Sequence, residues 1–174
     1  MKWELKNSLI LIGYMGSGKT SVGQRLAEKD KLPFVDTDHY IEEQQSCSIK
    51  TIFEQQGEEA FRAMETDCLH KLLKEERQRV ISVGGGLPLR EENRSLLKQL
   101  GLVVYLKAEP DTIFERIKGD VTRPLLQTDN PRKKIEEMMA CRESAYLKAA
   151  ELVIRVDGKT INEVTEEIEE QGRK

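Results

Sequence analysis

The chain has 174 residues, of which 38% are hydrophobic and 5% aromatic, and this length fits a single domain with its own core. Its 28 basic and 31 acidic residues give a formal net charge of −3, without the basic excess of proteins that neutralise many nucleic-acid phosphates, so we expect no nucleic-acid partner. The sequence has no long apolar run and no secretory leader pattern, and its three cysteines lack CxxC spacing, so we expect a cytoplasmic protein without a membrane segment, disulfide framework or zinc site.

Short apolar runs recur along the chain and predict the strands of a sheet. They cover residues 9–12, 33–35, 80–83, 102–106 and 152–156. Most of these runs consist of Val, Ile and Leu without polar alternation. This composition is typical of strands that are buried on both faces of a parallel sheet.

Helices are predicted between the strands, where apolar residues recur at helical spacing among Lys, Arg and Glu. These stretches are residues 19–29, 58–76, 91–100, 111–118 and 131–149, followed by an acidic terminal stretch at 159–174. The alternation of strand and helix predicts one α/β domain over residues 1–174, with a mainly parallel sheet and right-handed crossovers. Ligands of such a sheet gather at the carboxyl ends of its strands.

The first residues with recognisable chemistry lie between the first strand and the first helix. Residues 13–20 read GYMGSGKT and match the phosphate-loop pattern G-x-x-x-x-G-K-[ST] in the strand-to-helix context that it requires. We expect Lys19 to reach the β and γ phosphates of a nucleotide and Thr20 to offer its hydroxyl to Mg²⁺. The predicted nucleotide contacts in this loop are Gly13, Gly16, Ser17, Gly18, Lys19, Thr20 and Ser21. The alternative is a glycine-rich turn that binds no ligand.

An acidic pair follows the second predicted strand, in the sequence FVDTD at residues 34–38. Because residues two apart in an extended segment project to the same side, we expect Asp36 and Asp38 both to face the phosphate loop. One carboxylate would serve Mg²⁺ and the other would accept hydrogen bonds from substrate hydroxyls. The alternative is that Asp38 caps a helix beginning at His39. The third and fourth predicted strands lack the terminal Asp of many P-loop ATPases.

Arg62 and Glu65 lie three residues apart on a predicted helix, so Glu65 can orient the guanidinium. An arginine held in this way binds a substrate carboxylate through two hydrogen bonds, although a surface ion pair of little consequence has the same sequence pattern. Three consecutive glycines, Gly84, Gly85 and Gly86, follow the third strand. They allow a ligand or phosphate to approach the backbone closely, and a tight turn explains them almost as well.

The helical pattern is interrupted before the helix predicted at 131–149. Gly119, Pro124 and Pro131 break the helical spacing, and Arg123 stands beside the rigid Pro124. These features predict a mobile lid that contains Arg123.

Together these residues resemble the shikimate kinase family, from the phosphate loop to the last predicted strand. The matching segments are 13–20, DTD at 36–38 with IE at 41–42, GEEAFRAME at 57–65, GGG at 84–86, RPLL at 123–126, and Arg142 four residues before Tyr146. The chain departs from the family pattern at Val121 and Thr122, where relatives often carry more positive charge.

The resemblance implies a three-layer P-loop kinase fold, in which helices flank a five-stranded parallel sheet. It places a substrate-binding region near residues 38–65 and a lid near 117–131. It also implies an ATP-dependent phosphotransferase that phosphorylates the 3-hydroxyl of shikimate in chorismate and aromatic amino-acid biosynthesis. ATP and shikimate would be its partners and Mg²⁺ its cofactor, and we expect a monomer.

The same resemblance implies a role for each candidate residue. The catalytic residues would be Lys19, Asp38 and Arg123. The metal would be served by Thr20 and Asp36. Arg116 would lie against adenine, and Arg123 would reach the phosphates from the lid. The substrate-binding residues would be Asp38, Arg62, Gly84, Gly85, Gly86 and Arg142.

Two other functions fit parts of the pattern. A kinase for gluconate or another small hydroxy acid would share the phosphate loop and the acidic pair, but we would not expect it to combine GGG with RPLL. A catalytically silent nucleotide-binding module would have no need to keep Lys19, Asp38 and Arg123 together.

Overall fold

The computed structural model describes residues 8–172, except for the side chain of Leu125. A single sheet contains β1 Ser8–Ile12, β2 Phe34–Asp36, β3 Val80–Ser82, β4 Gly101–Lys107 and β5 Leu152–Arg155. The order across the sheet is β2-β3-β1-β4-β5, and every neighbouring pair is parallel. The predicted five-stranded parallel sheet is therefore confirmed.

Helices flank this sheet and connect its strands. They are α1 Lys19–Asp30, α2 Thr37–Gln45, α3 Ile49–Lys74, α4 Glu91–Leu100, α5 Pro110–Ile117, α6 Pro131–Ala149 and α7 Ile161–Gly172. Helices α1 and α7 pack on each other, and α3, α4 and α6 form a second group through contacts of α4 with both neighbours. Within residues 8–172, no helix is long and apolar enough to cross a membrane.

Helix α3 begins before the predicted helix at 58–76 because Ser48 caps it. The Ser48 hydroxyl accepts a hydrogen bond from the backbone N–H of Thr51. The helix is then interrupted at Gly57, whose φ of 84° and ψ of 171° are not helical. Residues 58–74 after this break match the predicted helix. The break turns the chain before the segment that carries Arg62.

The core follows the central strands. Every residue of β1 and β3 is buried, as expected for strands covered on both faces. The prediction of two-sided burial is wrong for β2 and β5, since β2 is only partly buried and Val153 in β5 is 41% exposed. The reason is that these two strands are the edges of the sheet and each pairs with a single neighbour.

Candidate functional site

The candidate site lies at the carboxyl ends of three adjacent strands, β2, β3 and β1. The phosphate loop follows β1, Asp36 ends β2, and Gly84 lies just beyond β3. Between them is a cavity of about 330 Å³, which we call the phosphate cavity. Its polar lining includes Lys19, Thr20, Ser21, Asp36, Asp38 and Arg123.

The phosphate loop presents the open N-terminus of α1 to this cavity. Gly18 occupies the N-cap position with a φ of 98°, and no side chain caps the helix. This conformation favours glycine, and the uncapped N–H groups of the first turn form an anion site. The hydroxyl Oγ of Ser17 is buried without a hydrogen-bond partner among the described residues. The loop therefore has unused donors where phosphates are expected.

Lys19 is held against the same loop. Its Nζ donates hydrogen bonds to the carbonyl oxygens of Gly13, at 2.8 Å, and Tyr14, at 3.1 Å. Loss of hydration lowers the pKa of Lys19 to about 8, against the opposing effect of the Asp38 and Asp36 charges. The ammonium remains largely charged at neutral pH, so a phosphate can replace these carbonyls as its partner.

Asp36 and Asp38 both line the phosphate cavity, but not for the reason that the sequence suggested. The segment is not extended through Asp38, because α2 begins at Thr37. Asp36 is the capping residue, and its Oδ1 accepts hydrogen bonds from the backbone N–H groups of Asp38, at 3.0 Å, and His39, at 3.1 Å. The alternative that Asp38 caps a helix beginning at His39 is therefore wrong.

Asp38 lies in the first turn of α2, with Oδ1 buried and without a partner among the described residues. Burial and the neighbouring charge of Asp36 raise the pKa of Asp38 to about 6, although Lys19 opposes the shift. A buried carboxylate oxygen without a donor is a ready acceptor for a ligand hydroxyl.

The residues present fit a magnesium ion that is bound together with phosphates. Thr20 contributes a hydroxyl and Asp36 a carboxylate to one cavity, and oxygen donors of this kind suit Mg²⁺. Residues 8–172 contain no cluster of three or more His, Cys, Asp or Glu side chains suited to a metal. This pattern is compatible with Mg²⁺, which usually keeps waters and substrate phosphates among its ligands.

Arg62 and Glu65 form a largely buried ion pair. Nη1 of Arg62 donates to Oε2 of Glu65 at 2.9 Å, while Nη2 donates to Glu58 at 3.3 Å. The Arg62 side chain is 16% exposed and that of Glu65 only 1%, so a surface ion pair of little consequence does not describe them. Burial raises the pKa of Glu65 to about 7, although Arg62 opposes the shift. Glu65 thus fixes a guanidinium beside the cavity.

Two arginines approach the triple glycine closely. A Cβ atom at Gly86 would lie 2.5 Å from both Nη atoms of Arg62, and one at Gly85 would lie 3.2 Å from Nη1 of Arg142. A Cβ at Gly84 would lie 2.7 Å from Oδ1 of Asp38. A side chain at Gly84 or Gly86 would therefore clash with the neighbouring charged groups, and one at Gly85 would crowd them. The explanation by a tight turn alone does not account for these contacts.

Two hydrogen bonds that the sequence did not suggest hold this glycine segment. The hydroxyl of Tyr146 donates to the carbonyl of Gly85 at 2.6 Å, and Thr37 Oγ1 accepts from the N–H of Gly84 at 3.1 Å. The only sequence signals were Thr37 standing between the two aspartates and Tyr146 standing four residues after Arg142. Neither residue type is diagnostic of such a role.

Arg123 lies between α5 and α6, in a segment whose only helical part is a short 3-10 turn, Pro124–Leu126. Its Nε donates to Asp120 Oδ2 at 2.9 Å, and its Nη1 lies 3.3 Å from the sulfur of Met15. The side chain already lines the phosphate cavity. The structure therefore brings the predicted lid arginine to the phosphate loop.

A second cavity of about 380 Å³, which we call the base cavity, lies on the other side of the phosphate loop. Its lining includes Gly16, Gly18, Ser21, Arg116, Val156 and Thr160. Arg116 donates to the carbonyl of Gly16 at 3.0 Å. Because Gly16, Gly18 and Ser21 line both cavities, one nucleotide can extend from the base cavity to the phosphate cavity. The loop after β5 also lines the base cavity, through Val156, Lys159 and Thr160. The sequence motifs did not predict that this loop belongs to the site.

The matching family model and two similar proteins share one description. The sequence model described as shikimate kinase matches residues 15–172. The shikimate kinase of Thioalkalivibrio sulfidiphilus is 45% identical over 162 residues, which are 93% of this chain and 85% of that protein. The shikimate kinase of Neisseria gonorrhoeae is 44% identical over 146 residues, which are 84% of this chain and 85% of that protein.

Two solved structures give the same result. The structure of shikimate kinase from Acinetobacter baumannii in complex with shikimate superposes with a TM-score of 0.87 at 36% identity, covering 95% of this chain and 92% of that chain. Shikimate kinase from Aquifex aeolicus superposes with a TM-score of 0.80 at 35% identity, covering 92% of this chain and 93% of that chain.

Proposed function

The chain belongs to the shikimate kinase family, and from this premise we propose that it transfers the γ-phosphoryl group of ATP to the 3-hydroxyl of shikimate, a step in aromatic amino-acid biosynthesis. The family match over residues 15–172 and the relatives at 44–45% identity support this activity. The observation that carries the proposal for this chain is that Arg62 and Arg142 meet the glycine segment beside the phosphate cavity. The proposed binding site for the substrate carboxylate therefore lies next to the cavity where the phosphoryl group would be transferred.

The carboxylate of shikimate would bind between Arg62 and Arg142. Guanidinium groups suit this role because they offer parallel N–H donors to two carboxylate oxygens. Glycine at positions 84–86 keeps the surface clear of side chains, so the ring of the substrate can approach the backbone. The two arginines would therefore fix the orientation of the ring and, with it, the choice of hydroxyl.

Asp38 would accept the hydrogen bond of the hydroxyl that attacks the phosphorus. Its unpaired Oδ1 lies on the border between the glycine segment and the phosphate cavity. A pKa near 6 leaves the carboxylate mostly ionised at neutral pH, so it can also take up the hydroxyl proton. Since phosphoryl transfer passes through a loose transition state, alignment of the hydroxyl contributes more than strong base catalysis.

The phosphates of ATP would bind the N–H groups of the loop, with Lys19 and Arg123 contacting the transferred group. Both cations line the phosphate cavity and would neutralise charge on the oxygens of the transition state. Thr20 and Asp36 would hold Mg²⁺, which supplies further positive charge next to the β and γ phosphates when it is bound. Arg116 would lie against adenine in the base cavity.

We further propose that the enzyme acts as a cytoplasmic monomer. The three cysteines, Cys47, Cys68 and Cys141, are free thiols, which suits a reducing compartment.

The proposal is tested by the rate of ADP formation with shikimate, with gluconate and with no acceptor. We expect turnover that requires shikimate and is lost when EDTA removes Mg²⁺. Equal turnover with gluconate would identify a different small-molecule kinase. ADP binding without turnover on any acceptor would identify a silent nucleotide-binding module.

A further inference from the structure

Asp157 joins two parts of the chain that are far apart in sequence. It follows β5, and its Oδ1 accepts a hydrogen bond from the backbone N–H of Glu109 at 2.9 Å. The same oxygen accepts a second bond from the hydroxyl of Thr112 at 2.6 Å. Glu109 is the N-cap residue of α5 and Thr112 lies in its first turn. Since no side chain of α5 caps this helix, Asp157 supplies the cap from another element.

The two parts that Asp157 joins are the opposite walls of the base cavity. One wall is α5, which contributes Arg116. The other is the loop after β5 and the start of α7, which contributes Val156, Lys159 and Thr160. Asp157 itself stands between Val156 and Lys159, so its bonds to Glu109 and Thr112 link the two walls.

Another side-chain contact crosses this junction, beside the backbone bond from the N–H of Val156 to the carbonyl of Lys107 at the end of β4. Arg155 reaches Glu109 at 3.4 Å, but both side chains are more than half exposed, and exposed pairs of this kind contribute little. The bonds to Asp157 involve a carboxylate at a helix N-terminus, which is the favourable end of the helix dipole for an anion. Although burial opposes the shift, the bonds from Thr112 and Glu109 hold the pKa of Asp157 below its ordinary value. The carboxylate is therefore ionised at neutral pH.

We propose that Asp157 is a positioning residue for the nucleoside of ATP, holding α5 and the loop after β5 at the spacing that a purine ring needs. The inference rests on the proposed function, because it takes the base cavity as the site of the nucleoside. Asp157 acts through Arg116 and the loop and makes no contact with the reacting groups.

The sign of the charge effect separates positioning from electrostatics. Removing an anion from the neighbourhood of a nucleotide, which is itself an anion, strengthens binding if charge alone matters. A loss of geometry weakens binding instead. Asp157→Ala removes the charge and both hydrogen bonds, whereas Asp157→Asn removes the charge and keeps an acceptor oxygen. The two variants therefore predict opposite results.

The test measures dissociation constants for ADP, GDP and shikimate by titration calorimetry on the full chain. We expect Asp157→Ala to bind ADP about tenfold more weakly, equivalent to about 1.4 kcal/mol of ordering that the ligand must now supply, with shikimate binding unchanged. The ratio of its affinity for ADP to its affinity for GDP should also fall below that of the parent. Asp157→Asn should bind ADP as tightly as the parent or slightly more tightly. Thr112→Val, which loses one of the two donors, should show a smaller loss than Asp157→Ala.

Asp111→Ala is the matched control. Asp111 is also an acidic residue in the first turn of α5, but it pairs with Arg132 and does not reach the loop after β5. This variant should keep the parent affinity for ADP.

The inference is overturned if Asp157→Ala binds ADP like the parent, or loses ADP and shikimate affinity equally. If Asp157→Ala does not fold, Thr112→Val decides, and unchanged ADP binding then overturns the inference. The proposed function fails separately: in that case the parent itself does not bind ADP or does not phosphorylate shikimate, and the inference fails with it. If the parent binds ADP and phosphorylates shikimate, and Asp157→Ala binds ADP with the same affinity, only the proposed role of Asp157 is overturned.

Discussion

Arg62 shows how a single side chain is prepared for a charged ligand. Glu65 holds its guanidinium at 2.9 Å, inside the protein and beside Gly86. Arg62→Ala should cost about 2–5 kcal/mol in kcat/KM for shikimate, as when one partner of a buried charge pair is removed. The same substitution should lower kcat/KM only slightly for a substrate analogue that lacks the carboxylate. The raised pKa of Glu65 lets this residue take up a proton in the variant, so we expect the fold to survive.

Arg90→Ala is the control for Arg62→Ala. Arg90 pairs with the exposed Glu59, and its loss should leave both substrates unaffected. If Arg62→Ala lowers kcat/KM equally for shikimate and for the analogue, Arg62 does not bind the substrate carboxylate.

At the scale of residues, the sequence predicted the groups that belong to recognisable motifs. Lys19, Asp38, Arg62 and Arg123 lie where the proposed chemistry needs them, although their roles stay predictions. Residues that act by holding others, such as Tyr146, carry no signal of their own, because a single tyrosine on a helix is an ordinary core residue. Their roles depend on contacts between distant elements.

The lid gives a prediction at the scale of elements. Arg123 is held at the phosphate cavity by Asp120 on a segment with little helical structure. Arg123→Ala should lower kcat about 10³-fold, weaken ATP binding only modestly and leave the melting temperature near that of the parent. Arg123→Lys should restore little, because a point charge lacks the planar pair of donors. Steady-state kinetics and thermal melting measure these effects.

The control for the lid is Arg132→Ala, which removes a partly buried arginine at the start of α6 that pairs with Asp111 and Glu136. It should not change kcat. An unchanged kcat in Arg123→Ala, or a loss of stability large enough to explain the lower rate, would return Arg123 to a structural role.

The break in α3 gives a second prediction at this scale. Gly57 has a φ of 84° and a ψ of 171°, a region that is essentially limited to glycine. Gly57→Ala should therefore lower the free energy of unfolding by about 1–3 kcal/mol, measured by urea denaturation. No atom lies within 4 Å of the added Cβ, so the effect isolates the backbone conformation.

Gly119→Ala is the comparison for Gly57→Ala. Its added Cβ also meets nothing within 4 Å, and Gly119 is not among the glycines with positive φ. This substitution should change the free energy of unfolding much less. If both variants lose the same stability, the conformation of Gly57 is not the cause.

The helices and strands that follow from the spacing of apolar residues were predicted well. Those features that depend on contacts between residues, such as helix capping and strand order, were predicted poorly. The buried strands and the helices at 91–100 and 131–149 follow from apolar spacing. Helix α2 was predicted only as an alternative, with a start at His39, because its actual start at Thr37 depends on capping by Asp36 and the sequence pattern of the two aspartates favours an extended segment. The exposure of β2 and β5 could not be predicted because it depends on strand order, which apolar runs do not reveal.

At the scale of the whole molecule, buried charges in the site predict a particular pH dependence of stability. Glu65 has its pKa raised from 4.5 to about 7, so the folded protein binds more protons there and the free energy of unfolding falls as the pH rises through this range. Lys19 has its pKa lowered from 10.5 to about 8, so the free energy of unfolding rises again between these values. We expect a minimum near neutral or slightly alkaline pH.

Urea denaturation across pH, on the parent and two variants, checks this dependence. Glu65→Gln should reduce the fall between about pH 4.5 and 7, and Lys19→Met should remove the rise above about pH 8. Variants that keep the slopes of the parent would show that other groups produce them.

The assembly of the site is also a property of the whole molecule. The sequence predicted the α/β class and the position of the ligands at the strand ends, because both follow from alternation of strands and helices. It did not give the strand order β2-β3-β1-β4-β5, which brings Asp36, Gly84 and the phosphate loop side by side. The approach of Arg62 from α3 and of Arg142 from α6 to the same glycine segment depends on this order and on helix packing.

The central claim is that one cavity system joins a phosphate loop to a carboxylate site and directs phosphoryl transfer to one hydroxyl of shikimate. Correlated proton–phosphorus NMR of the product of ATP and shikimate tests it most directly. We expect one new phosphomonoester whose phosphorus couples to the proton on carbon 3. Inorganic phosphate alone, a mixture of esters, or an ester on another oxygen would contradict it.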